Sequence, residues 1–440
     1  WYAKNTFSIS PSSLTWFRIT LGIIICINVM IRFFDLEAHY GTNGITSIQY
    51  LKEAHLKPGQ WSLFFLNPQT YFQAFLLFIT GISGLLLAIG YKTKYIKWFC
   101  FLLITSLNMR NPYIINSGDS LLRILLFWSL FLNFPPSIKN NSSLTILGYK
   151  IQIALVYWGT IVMRSGSDIW HEQKTGVYYA LNIDQFTTPL GDLIRNGPPQ
   201  LLFLMNDMTM FLELWGPVMF FIPYPPIQII TLLCLMIMHI SFSFTMNIGL
   251  FGIISVAALI PLLFLNKPPS ETKPKSSKYN TILISTIITL MLWWNLGNIK
   301  LLTMPLTIQP LVRSIGLAQE WRMFSPHPPL QDGWFQIRGI DNSNKTHLLW
   351  PEYSEKISDE KPIDVSQNYK NQRWRKFFMN LTNEKHKENQ KHLLTYFCDK
   401  YQDKNLKSLK LLYFLEKTPP INQPIEKTKK EILEIHECNN

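Results

Sequence analysis

Predominantly apolar runs recur along the chain as far as residue 298, at 14–34, 70–90, 95–108, 120–134, 151–164, 208–222, 227–246, 250–265 and 281–298. A hydrocarbon core of about 30 Å takes roughly 20 residues of helix, so each run is a candidate span. Several runs are shorter, and these predict half-spans or helices whose ends are shielded by protein instead of lipid. The pattern predicts an all-α polytopic membrane protein, a bundle of about nine transmembrane helices over residues 1–298. Lys and Arg between the runs set the expected orientation. With the N-terminus inside, inner loops carry Lys92, Lys94, Lys97, Lys139, Lys150, Lys267, Lys273, Lys275 and Lys278, against Lys52, Lys57, Arg110, Lys174 and Arg195 outside. That bias predicts a cytoplasmic N-terminus, and an odd number of spans puts the C-terminal tail outside.

After residue 298 the hydropathy collapses. Alternating apolar positions around Trp334, Phe335 and Ile337, and again at 347–350, predict a small β-rich unit within 299–365. Residues 368–415 predict basic helices, with Arg373, Arg375, Lys376, Lys385, Lys387 and Lys391 facing solvent, lipid headgroups or a protein partner. The Pro- and Lys-rich end, 418–440, predicts a flexible close to a basic helical tail over 366–440.

Composition narrows the class. Of the 440 residues, 48% are hydrophobic and 16% charged, against roughly 25% charged in soluble domains. The net charge of +13 lies in loops and tail and not along a groove. It points to anionic membrane lipids as partner and away from nucleic acid. Five cysteines, Cys26, Cys100, Cys234, Cys398 and Cys438, show no CxxC pair and no metal-ligand spacing. Neither a metal site nor a disulfide framework is expected. The sequence opens at Trp1 without a Lys/Arg-rich leader, and no signal peptide is expected.

Ionisable side chains within apolar runs cost several kcal/mol unless paired or hydrated, so each is a candidate for function. They are Arg18, Arg32, Arg123, Arg164, Glu213 and His239. Arg32 and Arg164 stand at run ends, where they can snorkel to the interface. Arg18 and Glu213 sit deeper and are expected to pair, as a structural brace or as part of a site. Asp119 and Arg123, four apart at the start of a helix, predict a local pair. Asn108, Arg110, Asn111 and Asn116 form a polar group at the outer face that predicts a cavity lining. His239 is either a hydrogen-bonded packing residue or a proton carrier. Asp168, Trp170, His171 and Glu172 open a long outer loop. Its aromatic residues suit an interface belt, or a loop folded over a cavity.

Several segments, in this order, resemble the HTTM family, the membrane domain shared with vitamin K-dependent γ-carboxylase. They are SLTWFRITLG, LNMRNPYIINSGDSLLRILLFW, QIALVYWGTIVMR, TGVYYALNIDQFTTPLG, FLELWGP and MHISFSFTMNIGLF, followed in the tail by EWRMFSPHPPLQDGWFQIRG, QRWRKFFMNL and YFCDKY. The tail is similar to that of bacterial stand-alone members, which implies a multi-pass protein of the bacterial inner membrane. The resemblance also implies a site that handles a quinone or hydroquinone, or another isoprenoid lipid. In the carboxylase a lysine deprotonates vitamin K hydroquinone, and Arg164 stands at the matching place in LVYWGTIVMRSG. Arginine stays protonated where lysine can be tuned to act as a base, so full carboxylase chemistry is not expected.

The expected site therefore has Arg164, His239 and Glu213 as chemical groups. Asn108, Arg110, Asn111, Asp119, Trp170 and Tyr157 would contact a quinone-like or anionic lipid headgroup. The alternatives are a non-catalytic membrane subunit that docks partners through its tail, and a transporter. The transporter ranks last because no pair of Gly/Pro-broken segments repeats in the two halves.

Overall fold

The computed structural model describes residues 9–135, 141–263, 277–354, 356–424 and 426–438. Lys139, Lys267, Lys273 and Lys275, on which much of the orientation argument rests, lie outside the described residues, as does Trp1.

Each apolar run coincides with a helix. These are α1 Pro11–Phe33, α2 Thr70–Ile89, α3 Thr93–Arg110, α4 Ser117–Ser129, α5 Ser143–Arg164, α6 Pro199–Met219, α7 Pro225–Thr245, α8 Phe251–Leu259 and α9 Lys278–Asn298. Their starts follow capping chemistry. Ser10 Oγ accepts from Ser13 N ahead of Pro11, Ser142 does the same for Thr145 N, and Asn116 with Asp119 forms a reciprocal capping box for α4. Gly90, at φ 85°, ends α2 in the left-handed conformation.

Five of these helices, α1, α2, α5, α7 and α9, are long and apolar enough to cross a membrane. Their outward faces are apolar: Phe75, Phe78, Ile82 and Leu85 on α2, and Ile230, Leu233, Ile237 and Ile240 on α7, are exposed. The remaining four depart from that standard for visible reasons. Helix α3 carries Lys94, Lys97 and Arg110, α4 and α8 are short, and α6 carries Asp207 and Glu213. Where α1 crosses α2, a Cβ on Gly22 would lie 2.4 Å from Gly84 O. Small residues there let two backbones touch, which is the packing open to helices that gain nothing from the hydrophobic effect in lipid.

Two of the lysines counted as loop residues are buried within the helical bundle. Lys97 is buried, and its Nζ donates to the carbonyls of Ser129, Leu130 and Leu132 at 3.1, 2.9 and 2.9 Å. It caps the C-terminal end of α4, where carbonyls without helical partners favour a cation. Lys150 is buried in α5 and donates to Phe220 O at 2.7 Å, at the end of α6.

The tail carries a four-stranded antiparallel sheet in the order β2-β1-β3-β4, from β1 Gln331–Asp341, β2 Thr346–Trp350, β3 Leu406–Lys417 and β4 Lys429–Glu437. The strands at 331–350 match expectation. The second pair corrects it, since 406–417 is strand and not helix, and 429–437 is an ordered edge strand and not a flexible end. The alternation in KSLKLLYFLEK is blurred by Leu411, Leu412, Tyr413 and Phe414 in a row. These residues are buried on both faces, which removes the period-2 signal. Trp334 and Phe414 stack across β1 and β3 with centroids 5.1 Å apart. Helices α10 Gln372–Leu381 and α11 Glu388–Lys400 complete the unit. A disulfide, Cys398–Cys438, ties α11 to the residue after β4, against the expectation of none. The two cysteines are 40 residues apart in sequence, a separation that short-range spacing rules do not read.

Candidate functional site

Arg164 is the last residue of α5. Its side chain turns inward instead of snorkelling, and the residue is 2% exposed. Nη1 meets Glu213 Oε2 of α6 at 2.6 Å, and Nη2 donates to Met323 O at 2.7 Å. The guanidinium lies over the Trp170 ring, 4.0 Å from its centroid, and Trp170 Nε1 donates to Phe324 O at 3.1 Å. Glu213 is thus the partner of Arg164 and not of Arg18. Arg18 Nη1 instead donates to Leu87 O at 2.5 Å and Ala88 O at 2.7 Å, capping the last turn of α2. An ion pair was the right expectation for Glu213. The error lay in assuming that the two deepest charges in sequence face each other.

Beside this pair opens a cavity of about 280 Å³, with walls that are mostly apolar. Arg164, Glu213, Trp170, Tyr157 and His239 line it, together with Phe186, Phe242 and Phe251. Tyr157 OH and His239 Nε2 are 2.9 Å apart, while His239 Nδ1 is buried without a partner. The long loop bearing Trp170 and Phe186 therefore folds over the cavity. The tail forms another wall through Met323, Phe324, Gln372, Arg375 and Lys376. Arg375 stacks over Phe186 at 4.3 Å and donates to Gln185 O at 3.3 Å. Burial brings its pKa down to about 10 and also lowers that of Lys376. These tail residues were not expected at the site. QRWRKFF looks like a solvated basic helix, and the one hint otherwise is its interleaved Trp and Phe.

Four expected headgroup contacts belong elsewhere. Asp119 Oδ1 accepts from Arg32 Nη2 at 2.9 Å, Arg373 Nη2 at 3.0 Å and Asn28 Nδ2 at 3.1 Å. Its Oδ2 accepts from Arg373 Nη1 at 3.0 Å and Asn116 N at 3.1 Å. Asn108 Nδ2 donates to Asp119 O at 3.0 Å. Arg110 donates to Thr46 O at 3.2 Å and Tyr40 O at 3.0 Å, and Asn111 to His39 O at 3.1 Å. None of the four lines the cavity beside Arg164. Asn116 does line that cavity. Two further expectations fall here. Arg32 is buried in the cluster and does not snorkel. Arg123 does not pair with Asp119, whose oxygens are filled by the other two arginines, but donates to Ala318 O. Arg373 and Arg375, expected on the surface, are 1% and 4% exposed. Among the described residues no group of three or more His, Cys, Asp or Glu is arranged to hold a metal.

No family model, curated protein or solved structure matches the chain.

Proposed function

We propose that the protein is a multi-pass membrane protein of the HTTM type that binds a quinone-like or anionic lipid headgroup in the cavity beside Arg164. The observation that carries this reading is the cavity wall. A largely apolar chamber presents one buried guanidinium–carboxylate pair and one Tyr–His pair, the combination of apolar bulk and few convergent polar groups typical of ligand sites. A quinone ring suits the Phe and Trp faces. Its carbonyl or phenolate oxygen suits Arg164, and Tyr157–His239 is placed to exchange a proton with a second oxygen. Because Glu213 and His239 are titratable groups within the chamber, a group-transfer or redox enzyme is favoured over a passive scaffold. Of the tail's cationic residues, Arg373 points inward to Asp119 and Arg375 and Lys376 to the cavity, while Lys385, Lys387 and Lys391 are exposed and stay open to lipid headgroups or a partner.

All nine apolar runs being helical supports nine spans, with the short α4 and α8 sheltered by their neighbours and with α3 and α6 exposing apolar faces of their own, at Trp98 and Phe99 and at Met208 and Phe211. The Cys398–Cys438 disulfide supports a tail on the oxidising, extracytoplasmic side of a bacterial inner membrane. Trp170 reports on the chamber, so titrating the detergent-solubilised protein with a short-chain quinone should quench its fluorescence saturably. Quenching that is unchanged in Trp170→Phe, or absent altogether, overturns the reading.

A further inference from the structure

A second cavity, of about 390 Å³, lies outside the chamber just described. It is bounded by the ends of α3 and α4, the segment around residues 51–60 and the stretch that follows α9. Two guanidinium groups line it, Arg123 from α4 and Arg313 from the short helix Gln309–Ser314. Neither has a carboxylate partner among the described residues. Arg123 Nη2 donates to Ala318 O, while its Nε is buried with no acceptor. Arg313 donates to Pro58 O at 3.2 Å and Gln309 Oε1 at 2.5 Å, and lies over the ring of Trp294 at the end of α9, 5.6 Å from its centroid. The acid nearest in sequence to Arg123 is Asp119, whose two oxygens already serve Arg32 and Arg373. The one acid in the lining, Glu320, is engaged by Arg322.

Arg123 and Arg313 are partly buried, and a partly desolvated cation without a counter-ion carries a cost that an anion entering from outside relieves. Guanidinium donors in a fork recognise oxyanions, and a phosphate offers more acceptor oxygens and more negative charge to two arginines than a carboxylate does. The space is many times the roughly 30 Å³ share of one water, so it admits a phosphate together with part of what it is esterified to. Gln60, Asn108, Ser120 and His55 supply further polar lining. We infer that this second cavity is a phosphate-binding site, with Arg123 as the inner anchor and Arg313 as the outer one. Its position beside Trp294, an aromatic residue at a span end, puts it at headgroup depth. A lipid phosphate and a free phosphate then offer the same chemistry from two sources.

The test is equilibrium binding to the full-length protein by native mass spectrometry and calorimetry. One arm uses inorganic phosphate in detergent, and the other phosphatidylglycerol against phosphatidylcholine in nanodiscs. Arg313 is partly exposed, so Arg313→Gln should leave the fold intact and weaken binding about ten-fold or more, the value of a charge-assisted hydrogen bond. Glu320→Gln should tighten it, since it removes the only acid in the lining. Binding in both arms that depends on Arg313 assigns the site to the phosphate group itself, and binding of phosphatidylglycerol alone assigns it to lipid. No binding in either arm, or binding indifferent to Arg313→Gln and Glu320→Gln, overturns the inference. Arg164→Ala separates the two cavities, because it should leave phosphate binding here unchanged.

Discussion

Two buried arginine–carboxylate clusters, built from the same chemistry, have opposite surroundings. Around Asp119 every carboxylate oxygen is filled, by Arg32, Arg373, Asn28 and Asn116 N, and side chains close over the group. Around Glu213 one oxygen meets Arg164, and the pair borders open, apolar space. The first cluster joins three pieces of chain: α1, α4 and the tail helix α10. It is a lock that holds the tail onto the membrane helices. The second is arranged to be approached. A buried charge in a membrane protein therefore becomes a functional candidate when its partners leave space beside it, not merely because it is buried.

Breaking the lock should have the largest effect. Asp119→Asn leaves two buried guanidinium groups with no acid, and removing one partner of a buried pair costs about 3–5 kcal/mol. The expected outcome is a lower unfolding midpoint, together with new protease cleavage around 366–381 as α10 comes away. Quinone binding measured in the surviving folded fraction should then fall only through lost tail contacts. The same change at the open cluster should cost less. Glu213→Gln forfeits one charge-assisted hydrogen bond, about 1.5–3 kcal/mol, because Arg164 keeps Met323 O and the Trp170 face. It should also tighten binding of an anionic headgroup, since the guanidinium is no longer neutralised. Equal destabilisation by the two variants in thermal unfolding would erase the distinction between them. Third in size, Arg164→Lys keeps the charge but loses the fork, and should weaken headgroup binding about ten-fold with little change in stability.

The smallest effect concerns a third contact between tail and membrane part, which titrates where the lock does not. His55 contacts Tyr113 OH and lies 3.3 Å from Tyr50 OH, with the His386 ring 6.0 Å away. His392 packs on Tyr50 at 4.5 Å. Burial holds all three histidines below their ordinary value. His386 adds to the shift at His55, Lys376 and Lys385 at His386, and Lys391 at His392, while Glu388 opposes it at His55 and His392. Bases with depressed pKa values prefer the neutral form when docked. Their contribution is intact above the ordinary histidine pKa of about 6.5 and is lost as pH falls below it. Hydrogen exchange over 383–392 should therefore accelerate modestly from pH 8 to pH 5, beyond the intrinsic rate change. In His55→Gln that pH dependence should shrink.

The helical part of the fold was legible because apolar runs of span length have few other interpretations, and all nine became helices. Partners were not legible. Arg18, Arg32, Arg123 and Arg164 were visible as cations within apolar runs, yet Arg18 is satisfied by backbone carbonyls and Arg32 shares its acid with Arg373, more than 300 residues on. Hydropathy ranks Arg373 as surface, and only its bonds to Asp119, in the capping box of α4, and to Ile114 O hold it inside. Five of the nine expected site residues came together, Arg164, Glu213, His239, Tyr157 and Trp170. These residues sit on helices and a loop whose polar positions face one another across the bundle. Asn108, Arg110, Asn111 and Asp119 are as polar and as buried, but Asp119 and Asn108 belong to the lock, and Arg110 and Asn111 hold the carbonyls of residues 39–46. Residue type and depth alone do not separate the two roles.

The central claim is that the cavity beside Arg164 takes a quinone-like or anionic lipid headgroup. Its most direct test is mass spectrometry of lipids and quinones that co-purify with the wild-type protein and with Arg164→Ala, each matched for fold by thermal unfolding. A quinone or anionic lipid enriched over bulk membrane in the wild type, and lost in Arg164→Ala, is the predicted result. Equal recovery of the same lipids from both proteins at unchanged stability would contradict it, and would leave Arg164 as a brace between α5 and α6.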